Sequence, residues 1–359
     1  MSAGCSGHRK INYTQENRMS NKNQDPQCCE KFKSKIGGQA LIEGIMMLGP
    51  NTGAMACRMP DGTIDMETWE ENNGKNAPWY RKTPLVRGCA SFVTSLVKGY
   101  KYMMKSADKQ LAYEEKMEQE KEAREKAEKE GISYEEALAK TEPSKNTKKE
   151  KEGSSYGFIM YLGIIVGVAM AIGLFVFLPK WAVAFIPGIK KRRILRSVVE
   201  GVVKIAIFVA YMALVSLMKD IKRQYMYHGA EHKTIACHEA ELPLTIENVR
   251  KQTRFHKRCG TSFIFIVLLV SIFVMCFVPF TVTWQRIVSS LILLPLVVGI
   301  SYECIRLAGN KDNLFTRILS APGLAMQRIT TKEPDDSMIE IAIAALTPCI
   351  PKDKEEDRW

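Results

Sequence analysis

The ten cysteines contain no Cys-x-x-Cys pair, and only Cys28 and Cys29 are adjacent. In a chain of this size that scatter argues against a disulfide framework and for a reducing compartment around most of the polar mass. The first 27 residues have no apolar core, so no signal peptide is expected and an internal span would direct membrane insertion. The formal net charge is +12, yet no RNA- or DNA-binding signature accompanies it. Nucleic acid is therefore not an expected partner, and the excess fits anionic lipid headgroups and cytoplasmic loops. Gly37, Gly38 and Gly44 do not make a phosphate loop, because the Lys-Ser/Thr of that motif is missing. Histidine is rare, with five in 359 residues. Three of the five, His228, His232 and His238, fall within eleven residues, and His256 follows.

The apolar residues are concentrated in a few runs. Residues 156–178 carry no charge over about 23 positions, enough to span a ~30 Å hydrocarbon core. Further runs cover 196–218, 262–280 and 287–307. The expectation is an α-helical polytopic membrane protein with four transmembrane helices, occupying residues 156–308. Four spans put both termini on one side, and the basic loop 219–261 between spans two and three makes that side cytoplasmic. Lys180, Lys190, Lys191, Arg192 and Arg193 disagree, because they fall in the loop that this topology makes external. Either that segment is re-entrant or one span is misread.

Outside the membrane domain, residues 1–30 read as a disordered tail. Residues 31–107 read as a small β-rich or α+β cytoplasmic domain. Turn signals at residues 49–53 and 60–62 separate an apolar run over 40–48 from strands near 54–59 and 63–69. A basic helical stretch follows Pro84, carrying Val86, Phe92, Val93, Leu96 and Tyr100. It suits either a membrane surface or packing on the soluble domain. Residues 108–155 read as a charged, solvated helix and linker with i, i+4 pairs such as Glu120–Arg124. The tail 309–359 holds a short apolar helix over 338–346, with Asp335 and Asp336 as caps.

The chemistry lies in His228-Gly-Ala-Glu231-His232. Two imidazoles and a carboxylate at i, i+3 and i+4 share one helix face, which is the H-x-x-E-H pattern of inverted zinc peptidases. His228 and His232 would share a divalent metal ion, zinc by preference, with Glu231 as general base or ligand. The competing reading is a polar helix end whose histidines bond to neighbours. Glu239 lies about 10 Å further along the axis and cannot reach the same ion. His256 and Cys259, spaced i, i+3 ahead of the third span, are the candidates to complete the set. Cys237 and His238, on adjacent helix positions, point different ways and make a poor dyad. Glu200 and Glu303 are intramembrane carboxylates and functional candidates on that ground, against a bland reading as ion pairs with Lys204 and Arg306. Glu43 is a lesser candidate.

Four phrases, in order, carry a resemblance: Ile36-Gly-Gly-Gln-Ala-Leu-Ile-Glu-Gly-Ile-Met-Met47, Tyr227-His-Gly-Ala-Glu-His-Lys-Thr-Ile235, Arg258-Cys-Gly-Thr-Ser-Phe263 and Pro322-Gly-Leu-Ala-Met-Gln-Arg-Ile-Thr-Thr-Lys-Glu-Pro334. The chain resembles the YqhQ-like family of bacterial membrane proteins over about residues 35–348. That resemblance implies a multi-span protein of the bacterial cell membrane. It implies metal-dependent catalysis as the family's conjectured activity, mapped here onto His228, Glu231, His232, His256 and Cys259. Residues 108–153 look like an insertion relative to shorter members, and His238 looks variable.

Two leading function classes follow. One is a membrane protein with a cytoplasmic metal centre acting as a hydrolase. The other is a non-catalytic scaffold or assembly factor, with a protein partner or a second copy of itself on its cytoplasmic domain. Transport, resting on Glu200 and Glu303, is a weaker third; those two carboxylates facing each other in the bundle would favour it.

Overall fold

In the computed structural model a polar helix is sandwiched between the sheet and a short apolar helix, and this arrangement organises the rest. The structure describes residues 32–71, 78–141, 162–189, 192–310 and 313–358. The tail expected over 1–30 and the linker expected over 143–155 lie outside these residues. One unit covers Phe32–Trp359.

Four antiparallel strands form a meander in the order β1 (Gly37–Leu41), β2 (Gly44–Leu48), β3 (Thr52–Arg58) and β4 (Ile64–Glu70). The apolar run read as continuous over 40–48 is instead two strands. A two-residue turn at Ile42 and Glu43 folds it back, with Leu41 opposite Gly44 and Glu43 at φ 49°. The alternation of β2 and β3 buries both faces. Leu41, Met46, Met55 and Cys57 pack on Tyr102 of helix α1 (Val86–Glu130). Ile45, Met47, Ala54 and Ala56 pack on α5 (Lys219–Glu239) and α11 (Asp336–Leu346). Strands buried on both sides read as continuous apolar runs, which is why the turn at Glu43 was hidden.

Helix α1 merges the basic stretch and the charged stretch into one helix of 45 residues, ending at Gly131 in the left-handed region. Its lysines explain the side it chooses: Lys98, Lys105 and Lys109 pair with Glu71, Glu67 and Asp65 along the edge of the sheet. A short α2 (Tyr134–Thr141) follows. Arg87, in the first turn of α1, grips Glu303 through both carboxylate oxygens. The partner of Glu303 is therefore Arg87, not Arg306, because the docking of α1 brings a guanidinium from 216 positions away.

The apolar helices are α3 (Leu162–Ala184), α4 (Arg193–Val215), α7 (Gly260–Cys276), α8 (Thr283–Ile292) and α9 (Leu294–Asn310). Among the described residues α3 and α4 are long and apolar enough to cross a membrane, and α8 with α9 makes a third span if the pair counts as one. The pair bends by 53° at Leu293, beside Pro295, whose missing N–H interrupts the helical ladder. Helix α7, expected over 262–280, has only 17 residues. Four full-length spans are thus not what the helices themselves provide.

Helix α3 runs to residue 184 rather than 178. A π-helical turn at Gly173–Phe177 precedes Pro179; such a wider turn accommodates a proline without ending the helix. Lys180 consequently lies inside the helix and is buried, not in an external loop. Glu200 also differs from expectation. Arg196 Nε donates to it at 2.8 Å and Arg286 Nη2 at 2.9 Å, while Lys204 contacts Ser271. The bundle packs Arg286 of α8 against α4, and that partner, 86 positions away, was invisible to helical spacing.

Glu200→Gln leaves two buried guanidinium groups sharing a neutral amide. It is expected to destabilise the protein by about 3–5 kcal/mol, read as a lowered Tm in detergent. Glu303→Gln, at a more exposed pair, is expected to cost no more than about 1 kcal/mol.

Candidate metal centre

Helix α5 changes character along its length. Residues 219–226 are half-buried or exposed, whereas Tyr227, Gly229, Ala230, Glu231, His232, Lys233, Thr234, Ile235 and Cys237 are all buried. Tyr227, Ala230 and Ile235 supply the apolar contact with the sheet and α11. Buried polar groups require partners, and the partners come from four other segments.

His228 Nδ1 lies 2.8 Å from the carbonyl of Thr330, at the end of α10 (Leu314–Thr330). His232 Nδ1 lies 2.6 Å from the carbonyl of Arg254. A carbonyl only accepts, so both Nδ1 atoms donate, and in each neutral ring Nε2 carries the lone pair. His228 Nε2 is 3.2 Å from Cys259 Sγ. The ligand atoms of His228, His232 and Cys259 all lie within 4.8 Å of one another. A tetrahedral zinc with Zn–S of ~2.3 Å and Zn–N of ~2.1 Å separates sulfur from nitrogen by about 3.5 Å. Imidazoles whose second nitrogen is tied to a backbone carbonyl are the usual outer arrangement of metal ligands.

Cys259 is the N-cap of α7 and its sulfur accepts from the Thr261 N–H. Burial by itself would push the thiol up; His228 and His232 outweigh it and hold Cys259 well below its ordinary value. Burial likewise opposes the charged form of His228, but Cys259 and Glu231 raise that imidazole to about 9. Each partner thus favours the charged form of the other, as in a cysteine–histidine ligand set with a proton where the cation would be.

Glu231 sits beside this group. Burial raises its carboxyl, with His228 and His232 pulling the other way. The Gly38 N–H of β1 bonds to this carboxylate. Oε2 is buried without a hydrogen-bond partner, an orphaned atom that a bound cation or its water would satisfy. Gly38 makes the approach feasible: a Cβ there would stand 2.7 Å from the Met46 carbonyl and 3.0 Å from the Glu231 carboxyl carbon. Gly229 does the same on the other side, where a Cβ would stand 2.0 Å from the Lys332 carbonyl.

His256 is not brought into the group. Its Nε2 faces Glu239 Oε2 at 3.5 Å and Arg258 at 3.3 Å. Burial keeps its imidazole below the ordinary value. Its backbone is clamped by Gln327, which accepts from the His256 N–H and donates to its carbonyl. Glu239 pairs with Arg258 and accepts from Ser34 N–H; burial pushes its carboxyl up, and His256 with Arg258 bring it below the ordinary range. His238 bonds Asp357. Glu43 docks the sheet on α5 through Arg223 and Tyr227. Glu200 and Glu303 stand on separate ion pairs and do not face each other.

The residues that spacing did not single out are Gly38, Arg254, Gln327 and Thr330. Three of these lie in phrases already noted for resemblance. Their part is played through backbone atoms or a clamp, which leaves no chemical mark on the residue type.

The family described as "Protein of unknown function (DUF1385)" matches residues 83–352. The chain belongs to it. Over 319 residues it is also 33% identical to "Uncharacterized protein YqhQ" of Bacillus subtilis (strain 168), covering 87% of this chain and 91% of that relative. No solved structure matches. Neither description names a metal, a substrate or a reaction. The DUF1385 match includes His228, Glu231, His232, Cys259 and Thr330 but begins after the sheet, so Gly38 lies outside it.

Gly229→Ala is expected to displace the segment that follows α10 at Lys332 and to lower stability by about 1–3 kcal/mol. Thermal unfolding of the detergent-solubilised variant checks this.

Proposed function

We propose that this DUF1385 member is a bacterial membrane protein with a divalent metal centre, zinc by preference, held by His228, His232 and Cys259. The observation that carries the reading is the grouping of two Nδ1-anchored imidazoles and one cysteine sulfur within 4.8 Å of one another, beside a carboxylate oxygen with no partner. When bound, the ion would polarise a substrate and lower the pKa of a water. Glu231 lies beside the ligand set as the candidate to take and return a proton, and burial raises its carboxyl in the direction such a role requires. His228 and His232 are oriented by the Thr330 and Arg254 carbonyls, and Gly38 aims the Glu231 carboxylate. A metal-dependent hydrolase is the reaction class this supports. His256 belongs to the surround, where it positions Glu239 and Arg258.

In this reading α3, α4, α7 and the α8–α9 pair are four crossings. Both termini and the soluble half face the cytoplasm, in keeping with the basic residues of 219–261. The exposed Val93, Leu96 and Val97 of α1 lie against lipid. The same face supports the scaffold alternative, in which a protein partner or a second copy covers it.

Elemental mass spectrometry of protein purified without chelators is expected to find about one metal ion per chain. The His228→Ala/His232→Ala variant should lose it and Glu231→Gln should retain it. Unchanged metal content in the double variant contradicts the assignment. Ion binding removes the proton shared by Cys259 and His228. Apparent zinc affinity should therefore rise with pH and level off above the His228 value of about 9, measured by competition with a chromophoric chelator.

A further inference from the structure

The segment that carries both His256 and Cys259, residues 251–259, is neither helix nor strand. Yet its sulfur is held 3.2 Å from His228 Nε2, on another element. Metal ligation tolerates about 0.2 Å in each bond, and an irregular loop does not keep such a position unaided. One side chain of α10 supplies the hold. Gln327 is fully buried. Its Oε1 accepts from the His256 N–H at 2.8 Å. Its Nε2 donates to the His256 carbonyl at 2.7 Å and to Ser262 Oγ at 2.9 Å, which uses both amide hydrogens. His256 stands three residues before Cys259 and Ser262 three residues after it. The carboxamide therefore bridges the chain on both sides of the sulfur.

The same stretch of α10 fixes the other ligand. Thr330, three residues further on, gives its carbonyl to His228 Nδ1 at 2.8 Å. Gly323, Gln327 and Thr330 fall at i, i+4 and i+7, one face of the helix. A Cβ at Gly323 would stand 2.7 Å from the Ser262 Cβ. Helix α10 and the first turn of α7 thus meet with no side chain between them, close enough for Gln327 to reach across. His228 and Cys259 come from different elements, but both are referenced to adjacent turns of one helix. The clamp also decides against His256. With its N–H and carbonyl both tied, its ring is turned toward Glu239 and Arg258, although its centroid lies 5.7 Å from that of His232.

We infer that Gln327 is the positioning residue that selects Cys259 rather than His256 as the third ligand, by fixing the loop on both sides of the sulfur. The inference rests on the metal reading of His228, His232 and Cys259, and adds which side chain decides the ligand set. Partners of this kind, one step removed from the ion, hold ligand orientation and with it affinity.

The test uses full-length protein in detergent, freed of metal and titrated with cobalt(II). Cobalt takes tetrahedral sites that suit zinc and, unlike zinc with its filled d shell, reports a thiolate ligand as a charge-transfer absorption. Wild type should show that band. Gln327→Leu, which keeps the bulk and removes all three hydrogen bonds, should bind cobalt about tenfold more weakly or worse and lose most of the band per bound ion. Ser262→Ala removes one of the three bonds and should fall between the two; it still reports should Gln327→Leu fail to fold. Glu200→Gln, which lowers stability from the far end of α7, should keep the wild-type affinity and band. A wild-type protein without the thiolate band contradicts the metal reading, and the inference falls with it. A wild-type band that Gln327→Leu and Ser262→Ala keep at full strength and affinity, or that Glu200→Gln loses equally, overturns the role of Gln327 and leaves the metal reading standing.

Discussion

A helix that buries Glu231, His232 and Lys233 together, with His228 half-buried among them, must find a partner for each polar atom, because each one left bare costs more than it could return in packing. In this protein the partners are backbone groups and charges from well-separated segments. Thr330 and Arg254 supply carbonyls to the two imidazoles, Gly38 supplies an N–H to the carboxylate, and Arg250 and Glu333 hold Lys233. The order of the fold follows from that requirement. The sheet must approach at Gly38, the chain after α10 must cross at Gly229, and α7 must begin with Cys259 pointing back at His228. One atom, Oε2 of Glu231, remains without a partner. That exception lies beside His228, His232 and Cys259, the only group found among the described residues whose side chains could hold a metal ion.

Helix α7 joins this polar core to the apolar helices. Its first residues cap the histidine group, while the carbonyl of Met275, near its last turn, accepts from Ser197 beside the buried Arg–Glu–Arg cluster. A helix of this length, about 25 Å at 1.5 Å per residue, is shorter than a typical span. Polar clusters at both of its ends tie it to neighbouring helices, which supplies the fixed position that hydrophobic length alone would not.

Much of this was legible in the residues. The placing of His228, Glu231 and His232 on one helix face follows from their spacing, donor chemistry marks His256 and Cys259 together as the nearby candidates, and the helical class with its apolar spans follows from the apolar runs. The choice between His256 and Cys259 was not legible, because both stand in a non-helical approach to α7, where the path of the loop decides which side chain points inward. Pairings across long separations, Arg286 with Glu200 and Arg87 with Glu303, leave no periodic signal. The bend at Leu293 and the π turn at Gly173–Phe177 displaced the expected spans because each changes the helical path without changing how apolar the sequence is.

X-ray absorption at the zinc edge of the reconstituted protein tests the central claim most directly, since it counts ligand types without reference to activity. One sulfur at ~2.3 Å and two imidazole nitrogens at ~2.0–2.1 Å, with the sulfur shell lost in Cys259→Ser, are the distances this centre requires. A site of oxygen ligands alone, or a sulfur shell that survives Cys259→Ser, would contradict it.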